Sequence, residues 1–190
     1  LDFPVSRSWV RMDWQLDDPG DQVSEIILDV KLNLDAPTAG EPNLVDFGAG
    51  TWVYARLASG QVASLQARRP VGDRVDGATP WSVWKGTARA SEAFVVSNPR
   101  RPVRAEGWVH LMDRKRCLAL AVDSFGQEQF EAIETTAEGI VRVRRVFARQ
   151  KTRTRKSLRA WLHFVGFPPQ QSAATSPRHM QTPPAVRVLR

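Results

Sequence analysis

Cysteine is nearly absent from this chain. The one residue present, Cys117, has no partner for an internal disulfide, and no CxxC or Cys/His ligand set exists. A disulfide scaffold and a structural zinc site are therefore excluded. No EF-hand-like spacing of oxygen ligands provides a calcium site, and no G-x-S-x-G elbow presents a nucleophile. Neither a metal nor an organic cofactor is expected. No apolar run approaches the ~18 residues that a membrane-crossing helix needs. The first residues, Leu-Asp-Phe-Pro, lack a methionine, a basic n-region and an apolar h-region, so no signal peptide is visible. A processed product or an excised domain is the expectation. Tyrosine occurs once, at Tyr54, against seven Trp and eight Phe. Tryptophan suits a core and a sugar-stacking platform equally well, so this imbalance does not choose between them.

What remains is ordinary in bulk and distinctive in pattern. The 190 residues are 42% hydrophobic and 25% charged, which fits one globular domain spanning 1–190. The dominant hydrophobic period is two. Val10, Met12, Trp14 and Leu16 share one face of a run from Ser8 to Leu16. Leu28, Val30, Leu32 and Leu34 alternate with Ile27, Asp29, Lys31 and Asn33. Side chains of a strand point alternately to opposite faces, so such runs read as half-buried strands. Further candidates are 44–47, 51–57, 61–67, 81–84, 94–97, 107–112, 116–123, 130–135, 140–148, 158–165 and 185–189, with a short helix as the alternative over 130–135. Turn signals such as Asp18-Pro19-Gly20, Ser59-Gly60 and Glu138-Gly139 separate them. The expected fold is all-β: a two-layer antiparallel β-sandwich, jelly-roll or supersandwich-like, with little helix. Residues 68–80 read as a loop, and the Pro-rich segment 168–184 as an extended strap along a sheet edge.

Charge is divided along the chain. Acids end at Glu138, while residues 139–190 carry twelve of the 27 Lys and Arg. Most fall between Arg142 and Arg159. This stretch is either a basic hairpin facing the acidic half or a footprint for a polyanion such as nucleic acid. The second option lacks a reading helix and regularly spaced aromatics.

Three strand-like segments carry candidate chemistry. Trp108, His110 and Met112 share a face, with Val109 and Leu111 on the other, and an imidazole beside an indole suits either a sugar platform with a proton carrier or a packed core. Arg159, Trp161 and His163 oppose the apolar set Leu158, Ala160, Leu162 and Phe164. A guanidinium there would hold a sugar carboxylate and the indole its ring, unless a second layer buries the face. Tyr54 and Arg56 share a face with Trp52, beyond the G-x-G of Gly48 and Gly50, which reads as a bulge or positive-φ turn and not a dinucleotide fingerprint. The candidate catalytic residues are thus His163, His110, Tyr54, Arg159 and Arg56, and the candidate stacking residues Trp161, Trp108 and Trp52. Asp13, Asp46, Asp113 and Asp123 read as turn or surface acids, Cys117 as a small hydrophobe, and His179 as a residue of the Pro-rich tail.

The strings SRSWVRMDWQL, NLVDFGAGTWVYARL, EGWVHLMDRKRCLALAVDSF and KSLRAWLHFVG, taken together, resemble the central β-sandwich region of exo-acting rhamnogalacturonan lyase-like proteins. The resemblance implies a carbohydrate-related role in a polysaccharide-using bacterium. Its partner would be an acidic poly- or oligosaccharide, and its place periplasmic or extracellular if the chain is processed. Such proteins are longer and multidomain, so other domains or a second copy of this chain are also expected partners. The functional expectation is a carbohydrate-recognising sandwich with β-elimination from an acidic sugar as its natural chemistry. The competing expectations are polyanion binding through 142–159 and a non-catalytic assembly role.

Overall fold

The computed structural model describes residues 9–38, 40–50, 52–69, 80–96, 104–149, 154–165 and Gln181. Two antiparallel six-stranded sheets form it. The strands are β1 (Trp9–Asp17), β2 (Glu25–Lys31), β3 (Asn43–Gly48), β4 (Trp52–Leu57), β5 (Gln61–Arg68) and β6 (Trp81–Thr87), then β7 (Ser91–Val96), β8 (Trp108–Met112), β9 (Cys117–Val122), β10 (Phe130–Thr136), β11 (Ile140–Val146) and β12 (Arg155–Val165). The first sheet runs β1-β12-β9-β8-β3-β4, the second β2-β11-β10-β5-β6-β7. The all-β two-layer sandwich expected from the alternation is what the chain builds. No helix among the described residues is long and apolar enough to cross a membrane.

One apolar set from each strand meets between the layers. Val45, Phe47, Val109, Leu111, Leu118, Leu120, Leu158 and Ala160 come from the first sheet, and Leu65, Val83, Ile133, Val141 and Val143 from the second. Burying side chains of this size stabilises by roughly 1.5–3 kcal/mol each, before the ordering entropy is counted. The alternation therefore fixes which face of every strand looks inward, and hence which residues are left for the outer faces.

Several boundaries differ from the sequence reading, each for a physical reason. Residues 130–136 are a central strand, because Ile133 faces the core between β5 and β11. β2 ends at Lys31, although Leu32 still donates to the Gly139 carbonyl at 2.8 Å. β12 starts three residues early, at Arg155. There Lys156 is buried among acceptors: its Nζ donates to Asp18 Oδ2 and Asp21 Oδ1 at 2.7 Å each and also to the Val23 carbonyl. Phe164, expected on the apolar face, is 57% exposed where β12 outruns the core. The candidate strand 185–189, His179, and all but the ends of the 68–80 loop lie outside the described residues. So does the Pro-rich segment apart from Gln181, whose Nε2 donates to the carbonyls of Glu106 and Val122.

Candidate functional site

The register gathers His163, His110, Tyr54, Arg159, Arg56, Trp161 and Trp108 onto the outer face of the first sheet. One cross-strand row reads Tyr54, Asp46, His110, Ala119, His163 and Trp9, passing through β4, β3, β8, β9, β12 and β1. Trp52 pairs with Gly48 one row away. Candidates from sequence-distant segments thus become neighbours, but they do not share one environment.

The middle of this face is packed. Trp108, Ala119, Ala121 and Trp161 form a second hydrophobic cluster against Trp9. Trp108 is fully buried, its Nε1 donating to Glu106 Oε2 at 2.6 Å and its ring 5.4 Å from that of His110. Gly48 permits this: a Cβ there would lie 2.1 Å from Trp108 Nε1. The expected bulge or positive-φ turn therefore describes only one of the two glycines. Gly48 makes room for the indole, while Gly50 takes the positive φ of 75°. His110 is buried as well. On β12, Trp161 is only 5% exposed, His163 is half-buried and Arg159 Nε donates to Asp13. That guanidinium holds Asp13 below the usual carboxylate range, and Asp13 in turn raises Arg159. Trp161 is therefore closed to a guest molecule, and the exposed Arg159 is engaged by Asp13. The packing reading of Trp108 and Trp161 is the one their burial supports.

The β4 edge is open. Tyr54 is 40% exposed, and Arg56 is exposed beside it on the same strand face. Both line a depression of about 290 Å³ closed by Asn43, Leu44, Asp113 and Arg114 together with the 35–42 connection. The walls are held by hydrogen bonds. Asn43 Nδ2 donates to the Ala137 carbonyl at 2.7 Å, and Asp113 accepts from the amides of Asp35, Lys115 and Arg116. Burial pushes the Asp113 carboxyl up, but those amides and the Arg116 guanidinium outweigh it and keep it low. The neighbouring cations are engaged: Arg114 with Glu41, Lys115 with Asp35, and Arg116 with Asp35 and Asp113. Arg56, by contrast, has no carboxylate partner among the described residues.

Sequence reading missed Asp46. It is no turn or surface acid: it sits in mid-β3, 2% exposed, with Oδ1 accepting no hydrogen bond among the described residues. Burial pushes its carboxyl up to about 6. Cys117 is buried, its thiol driven to about 12 by desolvation and then by the charges of Asp46 and Asp113, which suits packing and not nucleophilic attack. The basic stretch is largely neutralised by the acidic half. Arg142 binds Asp29, Arg144 Glu25, Arg145 Glu131, Arg155 Asp17, and Lys156 Asp18 and Asp21. A second depression of about 410 Å³ lies on the other sheet, lined by Ser64, Gln66, Glu134 and Arg142 among others, and its guanidinium is the one already bound to Asp29. Compared with family profiles, curated proteins and solved structures, the chain matches none.

Proposed function

We propose that this β-sandwich recognises acidic carbohydrate in the pocket of Tyr54 and Arg56. The observation that carries the reading is the exposed Arg56 guanidinium, which has no carboxylate partner among the described residues, in a pocket whose other lining cation, Arg114, is paired with Glu41. A sugar carboxylate supplies the missing partner, and the Arg fork suits its geometry. Tyr54 offers a ring for the sugar face and a hydroxyl for its edge.

The same two groups suit lyase-like β-elimination. Arg56 would stabilise the charge that builds on the carboxylate as the adjacent C–H bond breaks. The Tyr54 hydroxyl would pass its proton to the departing glycosidic oxygen and receive the carbon-bound proton in return. The electron pair left on carbon becomes the new double bond as the β carbon–oxygen bond breaks. A panel of acidic polysaccharides, followed by calorimetry and by absorbance of unsaturated product, tests both levels. Arg56→Ala is expected to weaken binding at least tenfold, since hydrogen bonds to charged groups contribute about 1.5–3 kcal/mol. Tyr54→Phe is expected to retain binding and lose product. Absence of binding to every member at low salt overturns the proposal, and binding without product reduces it to a recognition module.

A further inference from the structure

Buried carboxyl groups elsewhere in the molecule are compensated. Asp18 accepts from two backbone amides and from Lys156, Asp113 from three amides, and Glu131 from three amides and Arg145. Asp46 Oδ1 accepts nothing among the described residues. A buried polar atom left in this state calls for a reason, because it is costly in a low-dielectric interior. The position supplies one. Asp46 is the direct cross-strand partner of Tyr54, and Leu44, its neighbour on the same strand face, lines the pocket with Tyr54 and Arg56. Arg56 is thereby its diagonal neighbour, a relationship that places residues about 7–8 Å apart.

We propose that Asp46 sets the affinity of this pocket for anions: neutral, it leaves the charge of Arg56 to the ligand carboxylate, and ionised, it offsets that charge and repels the ligand. The inference rests on the reading of the Tyr54–Arg56 pocket as an acidic-sugar site and names what tunes it. Desolvation is the cause that brings the Asp46 carboxyl to about 6, so the change of state falls between pH 5 and 7.5. The sign follows directly. Protonation below that midpoint removes a negative charge and tightens binding, and deprotonation above it loosens binding. Groups facing Asp46 are Tyr54 and Arg56 from β4, His110 from β8, and Cys117 from β9, with Asp113 just after β8. With Cys117 held near 12 and Asp113 kept low, both keep one charge state across this window.

Calorimetry with trigalacturonate at pH 5 and pH 7.5 tests the assignment on the full chain. The wild type is expected to bind about ten- to fortyfold tighter at pH 5, fortyfold being the limit for unit charges about 7–8 Å apart near a protein surface. Asp46→Asn is expected to bind equally at both values, at the affinity the wild type shows at pH 5. Carboxyl-carbon NMR of the wild type, which needs no variant, should place the Asp46 midpoint at that of the affinity change. An unchanged pH dependence in Asp46→Asn, or a midpoint that follows the His110 ring instead, overturns the inference. If trigalacturonate and the wider panel do not bind at all, the pocket reading fails by itself. Acetate, followed at the Arg56 Nε–H resonance, then decides the Asp46 claim. A response stronger at pH 5 and levelled by Asp46→Asn upholds it, and an equal or absent response overturns it.

Discussion

Asp46 and Gly48 stand two residues apart on β3, both facing outward, and both are dictated by what lies over them. Burial holds the Asp46 carboxyl near 6 against an ordinary 3.8. A folded-state value raised in this way means the native protein binds the proton more tightly than the unfolded chain. Stability therefore falls as pH climbs from about 4, and the whole penalty is present above about 7. At one pH unit per 1.36 kcal/mol, the loss over that range is about 2–3 kcal/mol. Asp46→Asn is expected to be more stable than wild type by roughly this margin at pH 7.5 and nearly equal to it at pH 4, as read by urea unfolding at the two values. Gly48→Ala is expected to cost about 1–3 kcal/mol by overpacking, since its methyl group would meet the indole of Trp108. A change in Trp emission should accompany the loss. Neither role was legible in the sequence. An aspartate in an alternating run reads as solvent-facing, and only the assembled sheet reveals that Trp108, His110 and Tyr54 surround its side of β3.

At the scale of the strand, a buried charge pair joins β10 to β11, and its arginine ties them to the other layer. Arg145 Nε donates to Glu131 Oε1 at 2.7 Å, and its two terminal nitrogens donate to the carbonyls of Ser157 and Asp123. Burial raises the Glu131 carboxyl, while Arg145 and the amides of residues 126–128 pull against it. Arg145→Met is expected to destabilise by about 3–5 kcal/mol, because a charge is then buried without its partner. Adding Glu131→Gln should recover part of that loss in the same urea titration. A second tie joins the start of β12 to the β1–β2 connection through Lys156 and Asp18. The Lys156 ammonium, with the Gln22 amide, holds Asp18 down to about 2. Here the sign is opposite to that of Asp46. The stabilisation is fully present above pH 3.8 and is lost as pH falls through about 2. An acid titration by circular dichroism should show wild type losing stability across that window, with Asp18→Asn showing a smaller change there. Strand existence was legible from period-two alternation, but the early start of β12 was not. Arg155-Lys156-Ser157 looks like a loop until the acceptors from residues 18–23 are brought to it.

Across the whole molecule, the acidic first part and the basic last part meet strand against strand. β11 lies on β2 and β12 on β1, so Arg142 reaches Asp29, Arg144 Glu25, Arg155 Asp17 and Arg159 Asp13. Those pairs satisfy much of the field that would otherwise draw phosphate to 142–159. Duplex and single-stranded nucleic acid are therefore expected to bind weakly even at low salt, with a shallow dependence of log affinity on log salt. Filter binding or anisotropy across a salt series checks this, and a steep slope would restore the polyanion reading.

Alternation along the chain was enough to dictate the two layers and which residues share a strand face, Tyr54 with Arg56, Trp108 with His110, and Arg159 with Trp161 and His163, since side-chain direction in a strand is a local property of the backbone; the pairing of the strands then turned all of these groups outward. Which of those outward groups stay in solvent was decided only by the packing of distant strands. Trp161 and Trp108 disappear into a shared cluster, Arg159 is claimed by Asp13, and Tyr54 and Arg56 remain at an edge. Burial and charge pairing depend on neighbours far apart in sequence, and no local pattern encodes who those neighbours will be.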